Sequence, residues 1–177
     1  MNDVNILIEE LRTLIATSEF SAAERFQVAM NRMAGFLAEV FGGEKAEVAI
    51  LWNRRASLSF LWPDFLAGGK ELSIHSTLPI ASNIFRSGCS FLDNRFIERK
   101  HMVEYEFVKE SDGGSRLIWK MMGVAIVVEG ERLGVVQISR KRSAYTEPGP
   151  DFTSADLDLL EKLSTRLGAF IKAVIPY

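Results

Sequence analysis

With 177 residues, 47% of them apolar and 25% charged, the chain has the balance of one ordinary globular domain, which excludes a disordered chain. A formal net charge of −2 provides no overall attraction to nucleic acid or anionic lipid, and a single cysteine, Cys89, excludes an internal disulfide framework and any multi-cysteine zinc site. Apolar stretches such as residues 124–128 fall far short of the roughly 20 residues of a membrane helix, and no basic patch or long apolar run opens the chain, so the expectation is a cytoplasmic protein without nucleic-acid or membrane partners.

In chain order, Val4, Leu7, Leu11 and Leu14 recur at steps of three and four, widened by Ile8 and Ile15. This spacing predicts an amphipathic helix over residues 3–18 with a coiled-coil-like seam. A second helix begins at Ser21, where Ser21 and Glu24 form a capping box. Phe26, Met30, Met33, Leu37 and Phe41 carry its apolar stripe, and Gly42-Gly43 stops it. Residues 48–52 and 58–62 read as two strands joined through residues 53–56, the second ended by Pro63. Gly68-Gly69 marks a turn, and Leu72, Ile74 and Ser76 suggest a third strand. Residues 79–87 suit a short helix closed by Gly88, and residues 90–92 a short strand. Residues 93–116 have no clean period, and Asp112-Gly113-Gly114-Ser115 reads as a flexible loop.

Two β-rich runs, residues 121–128 and 133–140, flank Glu129-Gly130-Glu131-Arg132 and predict a hairpin whose turn needs the positive φ of Gly130. Gly134 suggests a bulge or a close backbone approach. A last helix opens at Thr153 with Asp156 as its capping partner, and Leu160, Leu163, Leu167, Phe170 and Val174 follow on a heptad spacing. Contiguous strands between terminal helices predict an α+β fold, a central antiparallel sheet with helices packed on one face. The two seam-like stripes either pair with a second copy, giving a homodimer, or simply cover the sheet.

The segment Met122-Gly123-Val124-Ala125-Ile126-Val127-Val128-Glu129-Gly130-Glu131-Arg132-Leu133-Gly134-Val135-Val136-Gln137-Ile138, followed by Lys141, a polar loop and Phe152-Thr153-Ser154-Ala155-Asp156-Leu157-Asp158-Leu159-Leu160, resembles a GAF domain, a small-molecule-binding sensory module related to PAS domains. The resemblance spans residues 20–174 and is specific only in its last third. It divides the chain into residues 1–20, a helix suited to dimerisation, and residues 21–177, the GAF-like domain. It implies a pocket on the sheet face away from the terminal helices, roofed by the irregular middle segment. It also implies transmission of binding through the end helices to an output domain or a separate signalling protein.

The ligand stays unidentified, and no cofactor is assigned. Some cyclic-nucleotide GAF domains carry Asn-Lys, Phe and Asp-Glu here. This chain keeps Lys141, Phe152 and Asp156 but has Arg140 for the asparagine and Leu157 for the glutamate. Lys141 and Asp156 suit a loop-pinning salt bridge, although Asp156 suits a helix cap better. Bilin relatives use a cysteine often followed by histidine, which Cys89-Ser90 lacks, and haem would need His75 or His101 as an axial ligand. Relatives that reduce free methionine sulfoxide need an attacking and a resolving thiol, and one cysteine supplies no such pair. No catalytic triad, metal spacing or phosphate loop appears, so no enzyme is expected. By position, Ser82, Asp93, Arg95, His101, Tyr105 and Trp119 are the side chains expected to orient a ligand. The alternative is a structural module that binds nothing, its cavity filled by its own aromatic residues.

Overall fold

The computed structural model describes residues 2–17, 19–67, 69, 71–99, 116–142 and 147–176. Helix α1 (Asn2–Thr17) leads into α2 (Ala22–Val40), whose capping box is formed as the sequence suggests: Glu24 Oε2 accepts from the Ser21 amide at 2.9 Å and Ser21 Oγ from the Glu24 amide at 3.3 Å. The Gly43 amide then donates to the Ala38 carbonyl at 2.7 Å, closing the helix. The Arg25 guanidinium donates to the Ile15 carbonyl at 2.7 Å, so α2 satisfies an orphan acceptor at the end of α1 and ties the two together.

The sheet consists of β1 (Val48–Arg54), β2 (Ser57–Trp62), β3 (Leu72–Ser73), β4 (Phe91–Asp93), β5 (Leu117–Val128) and β6 (Glu131–Arg142), with α3 (Ile80–Ser87) between β3 and β4 and α4 (Ser154–Val174) after β6. Its order is β3-β2-β1-β6-β5-β4 and every pairing is antiparallel. The α+β expectation therefore holds.

The differences in detail have physical causes. Strand β1 continues to Arg54, and the connection to β2 shrinks to Arg55-Ala56, both at positive φ (50° and 67°), as a two-residue hairpin turn requires. The third strand is only Leu72–Ser73, because a turn follows in which the Ser76 amide donates to the Ser73 carbonyl. The central hairpin is longer than its apolar run: β5 and β6 each have 12 residues, pairing as far as Leu117 with Arg142. Glu129 and Gly130 make its turn at φ 54° and 81°.

Two cores sandwich the sheet. On one face, Met30, Met33 and Leu37 of α2 and Leu160, Leu163 and Leu167 of α4 pack over Ile50, Met122, Ile126 and Ile138, and Val4, Leu7 and Leu11 of α1 join the same core against α2 and α4. The heptad leucines of α4 are thus spent on the chain's own sheet: Leu163 is 3% exposed and Leu167 2%. The α4 stripe covers the sheet, and the α1 stripe packs on α2 and α4. On the other face, Ile80, Ile84 and Phe85 of α3 pack with Phe96 on Leu51, Leu58, Met121, Ala125 and Val135. That face is partly roofed by α3, where the sequence reading placed the irregular middle segment as the roof.

Candidate functional site

Strand alternation sends Gln137, Ser139 and Lys141 of β6 to the α3 side of the sheet, while Val136, Ile138 and Arg140 face the terminal helices. These three polar residues border a cleft whose other walls are Val48, Ala49, Phe60, Leu72, Ile80, Ala81, Ile118 and Met121, with Glu47 at one end. The cleft encloses about 30 Å³, room for a water or two and far less than a nucleotide needs.

Glu47 organises the polar end. It is 2% exposed; Oε1 accepts from the Lys141 amide at 2.7 Å and from Arg142 Nη1 at 2.9 Å, and Oε2 from the Glu44 amide at 2.9 Å. Ser139 Oγ donates to the Glu47 carbonyl at 3.0 Å, and the Lys141 ammonium to the Ala46 carbonyl. A carboxylate so buried is tolerated because donors meet both oxygens. Gln137 is less satisfied: its amide nitrogen donates to the Met121 sulfur at 3.3 Å, a weak acceptor, and among the described residues its carbonyl oxygen has no donor.

Of the six residues named from the sequence, the four that are described, Ser82, Asp93, Arg95 and Trp119, do not line this cleft. Ser82 is fully buried in α3 and donates to the Ser73 carbonyl at 2.9 Å, stapling α3 to β3. Asp93 ends β4, accepting from the Arg95 amide at 2.8 Å and pairing with Arg99 at 2.5 Å; the Arg95 side chain is exposed. Trp119 is the extra residue where the β5–β6 register shifts, and its indole donates to the Arg142 carbonyl at 3.3 Å. His101 and Tyr105 lie outside the described residues, as does the loop at 112–115. Glu47, Gln137, Ser139 and Lys141 were missed as lining residues, although the alternation Val136-Gln137-Ile138-Ser139 announces a polar row on one face.

On the opposite face the loop before α4 is clasped differently from the Lys141–Asp156 expectation. Asp156 caps its own helix, Oδ2 accepting from the Thr153 amide at 2.7 Å. Arg140 lies over the Phe152 ring, 4.5 Å from its centroid, and donates from Nη2 to the Phe41 carbonyl at 2.6 Å. Burial lowers the Arg140 pKa from the usual arginine value, Glu47 opposing and Arg142 adding to the effect. Lys120 holds the Gly149 carbonyl at 2.6 Å and Asp151 at 2.7 Å, and Asn94 makes a reciprocal pair with the Phe152 backbone, 2.9 Å each way.

Among the described residues no group of three His, Cys, Asp or Glu side chains is placed to hold a metal, and no helix is long and apolar enough to cross a membrane. No family model matches the sequence, and no curated protein matches it. Solved structures do. The GAF domain of an Acinetobacter phosphoenolpyruvate-protein phosphotransferase superposes with a TM-score of 0.66 at 13% identity, covering 97% of this chain and 92% of that one. A segment of a methyl-accepting chemotaxis protein gives 0.64 at 17% identity, covering 95% and 96%. Free methionine-R-sulfoxide reductase from Neisseria meningitidis gives 0.57 at 12% identity, covering 97% and 89%. The six-stranded antiparallel sheet, the terminal helices on one face and the short helix over the other make this a GAF fold.

Proposed function

We propose that the chain is a sensory GAF domain that binds a small molecule in the cleft between α3 and the sheet and passes the event to its terminal helices. The observation that carries this reading is the polar row of Gln137, Ser139 and Lys141, with Glu47 at one end, set into otherwise apolar walls, an amide carbonyl being left over to orient a guest. Support for the sensory role comes from where this fold recurs: a phosphotransferase, a chemotaxis protein and the sensor histidine kinase of Bacillus halodurans. Since the cleft is small, a guest of more than a few atoms has to lift α3 from the sheet. Arg86 and Ser82 hold α3 to residues 73–76, and breaking those bonds is the step we infer as the signal. We read the domain as non-catalytic, acting as a homodimer in the cytoplasm on an output domain or partner protein. The reductase among the neighbours shares the fold, but its chemistry needs a thiol pair and this chain has one cysteine.

A thermal-shift screen over cyclic nucleotides, amino acids, nitrogenous metabolites and tetrapyrroles, with native mass spectrometry for co-purified ligand, tests the reading. A ligand at a hundred times its Kd adds about 2.7 kcal/mol to stability. That gain should shrink in Gln137→Leu. The competing reading, a structural module that binds nothing, is favoured by how little space the apolar side chains leave. A flat screen and an empty protein would decide for it.

A further inference from the structure

A second cleft, of about 390 Å³, lies along the outer edge of the sheet. Ser59, Phe60 and Leu61 all line it. Successive strand residues point to opposite faces, so three in a row border one cavity only where it runs beside the strand's edge. That edge is open because β3 pairs with Ser57 and Leu58 alone; among the described residues no backbone hydrogen bond reaches Ser59 to Leu61 from this side. Phe26 of α2 and Leu66 of the loop after β2 supply apolar walls.

Two opposite charges, Arg54 and Glu71, border the same cavity. Among the described residues neither forms an ion pair, with the other or with any third group. The Arg54 guanidinium makes one long hydrogen bond, 3.4 Å to the Pro176 carbonyl, and Glu71 accepts one from the Ser59 hydroxyl at 2.8 Å. A cation and an anion at one cavity, each with most of its bonding capacity unused, match a guest carrying both charges.

We propose that this cleft is a second binding site and that it takes a small zwitterion with an apolar body, a free amino acid such as leucine. The carboxylate engages the Arg54 fork, the ammonium engages Glu71, and the side chain lies on Phe26, Leu61 and Leu66. The open strand edge offers further backbone donors and acceptors along the cleft. The volume falls in the range of small-molecule pockets. A carboxylate at Arg54 competes with the Pro176 carbonyl, so occupancy breaks the Arg54–Pro176 hydrogen bond. The site is separate from the α3 cleft and does not rest on the function proposed for it.

Amide NMR titration of isotope-labelled protein with leucine, leucinamide and isocaproate tests the proposal. Leucine should cause saturable shifts at Gln27, Ser59, Leu61 and Glu71. Its affinity should fall about tenfold in Arg54→Gln and again in Glu71→Gln, each removing one charge-assisted hydrogen bond. Both side chains are exposed, so these variants should keep the wild-type spectrum. Leucinamide, without the carboxylate, should bind as weakly as leucine binds Arg54→Gln. Isocaproate, without the ammonium, should bind as weakly as leucine binds Glu71→Gln. Absence of saturable shifts, unchanged affinity in Arg54→Gln, or shifts centred on Gln137 and Ser139 would overturn the proposal.

Discussion

Gly168 stands inside α4, where glycine costs about 1 kcal/mol relative to alanine. The reason is contact: a Cβ there would lie 2.2 Å from Ile126 Cγ2 and 3.3 Å from Val128 Cγ2 on β5. Gly134 answers the same need in the sheet, where a Cβ would meet the Leu51 carbonyl oxygen at 2.2 Å. For Gly168→Ala, the overpacking should outweigh the gain in propensity and leave a net loss of about 1–3 kcal/mol, read as a lower urea midpoint with an unchanged m-value. Stability equal to or above that of the parent would show that α4 sits farther from β5 than these distances state. Arg140 is the other residue whose role is spatial. It is 4% exposed, with Nε and Nη1 buried and, among the described residues, lacking hydrogen-bond partners, a cost offset by the Phe152 ring and the Phe41 carbonyl. The sequence shows only an arginine where some cyclic-nucleotide GAF domains carry an asparagine; the stacking needs the loop folded back onto β6.

Among the elements, the helix ends were the most legible, because capping is local chemistry within four residues. Thr153→Ala should remove both the side-chain acceptor for the Asp156 amide and the hydroxyl bond to Asp156, destabilising the protein by about 1 kcal/mol and lowering Tm by roughly 2–4 °C in calorimetry. An unchanged Tm would mean that the first turn of α4 is held by the Asn94–Phe152 pair instead. The hairpin of β5 and β6 was equally plain from its alternation and its glycine turn, though its far ends were not. Residues 117–120 and 141–142 mix charges with apolar groups because their two faces bury different things, Ile118 against α3 and Lys120 against the 149–151 loop. A strand with unlike neighbours on its two sides has no clean period to read. Strand β3 fails for the opposite reason: two residues are too few for any pattern.

At the scale of the whole molecule, burial of the α1 and α4 stripes moves the question of the homodimer to what the helical layer leaves outside. Ile6 is 57% exposed and Val40 38%, and with Phe36 they line a groove along α1 and α2 bordered by Asp3, Glu10 and Glu39 and by Arg32 and Lys45. A two-fold dimer through this groove would set apolar middle against apolar middle with charges of both signs at the rim. If the proposed homodimer uses it, Ile6→Glu with Val40→Glu should convert dimer to monomer in sedimentation velocity without loss of helical signal, and a dimer that survives both changes must use another face. The sequence by itself determined the elements, their order, the antiparallel sheet and the chemistry of the caps and turns, since each depends on neighbours within a few residues or on a simple period. Only the tertiary structure decided which face of each stripe is spent on the chain's own core, that α3 roofs the sheet, and that Glu47, Gln137, Ser139 and Lys141 meet at one cleft while Ser82, Asp93 and Arg95 do not. Those outcomes depend on side chains some ninety positions apart, as Glu47 and Lys141 are, and no local pattern encodes which distant partner a polar group will find.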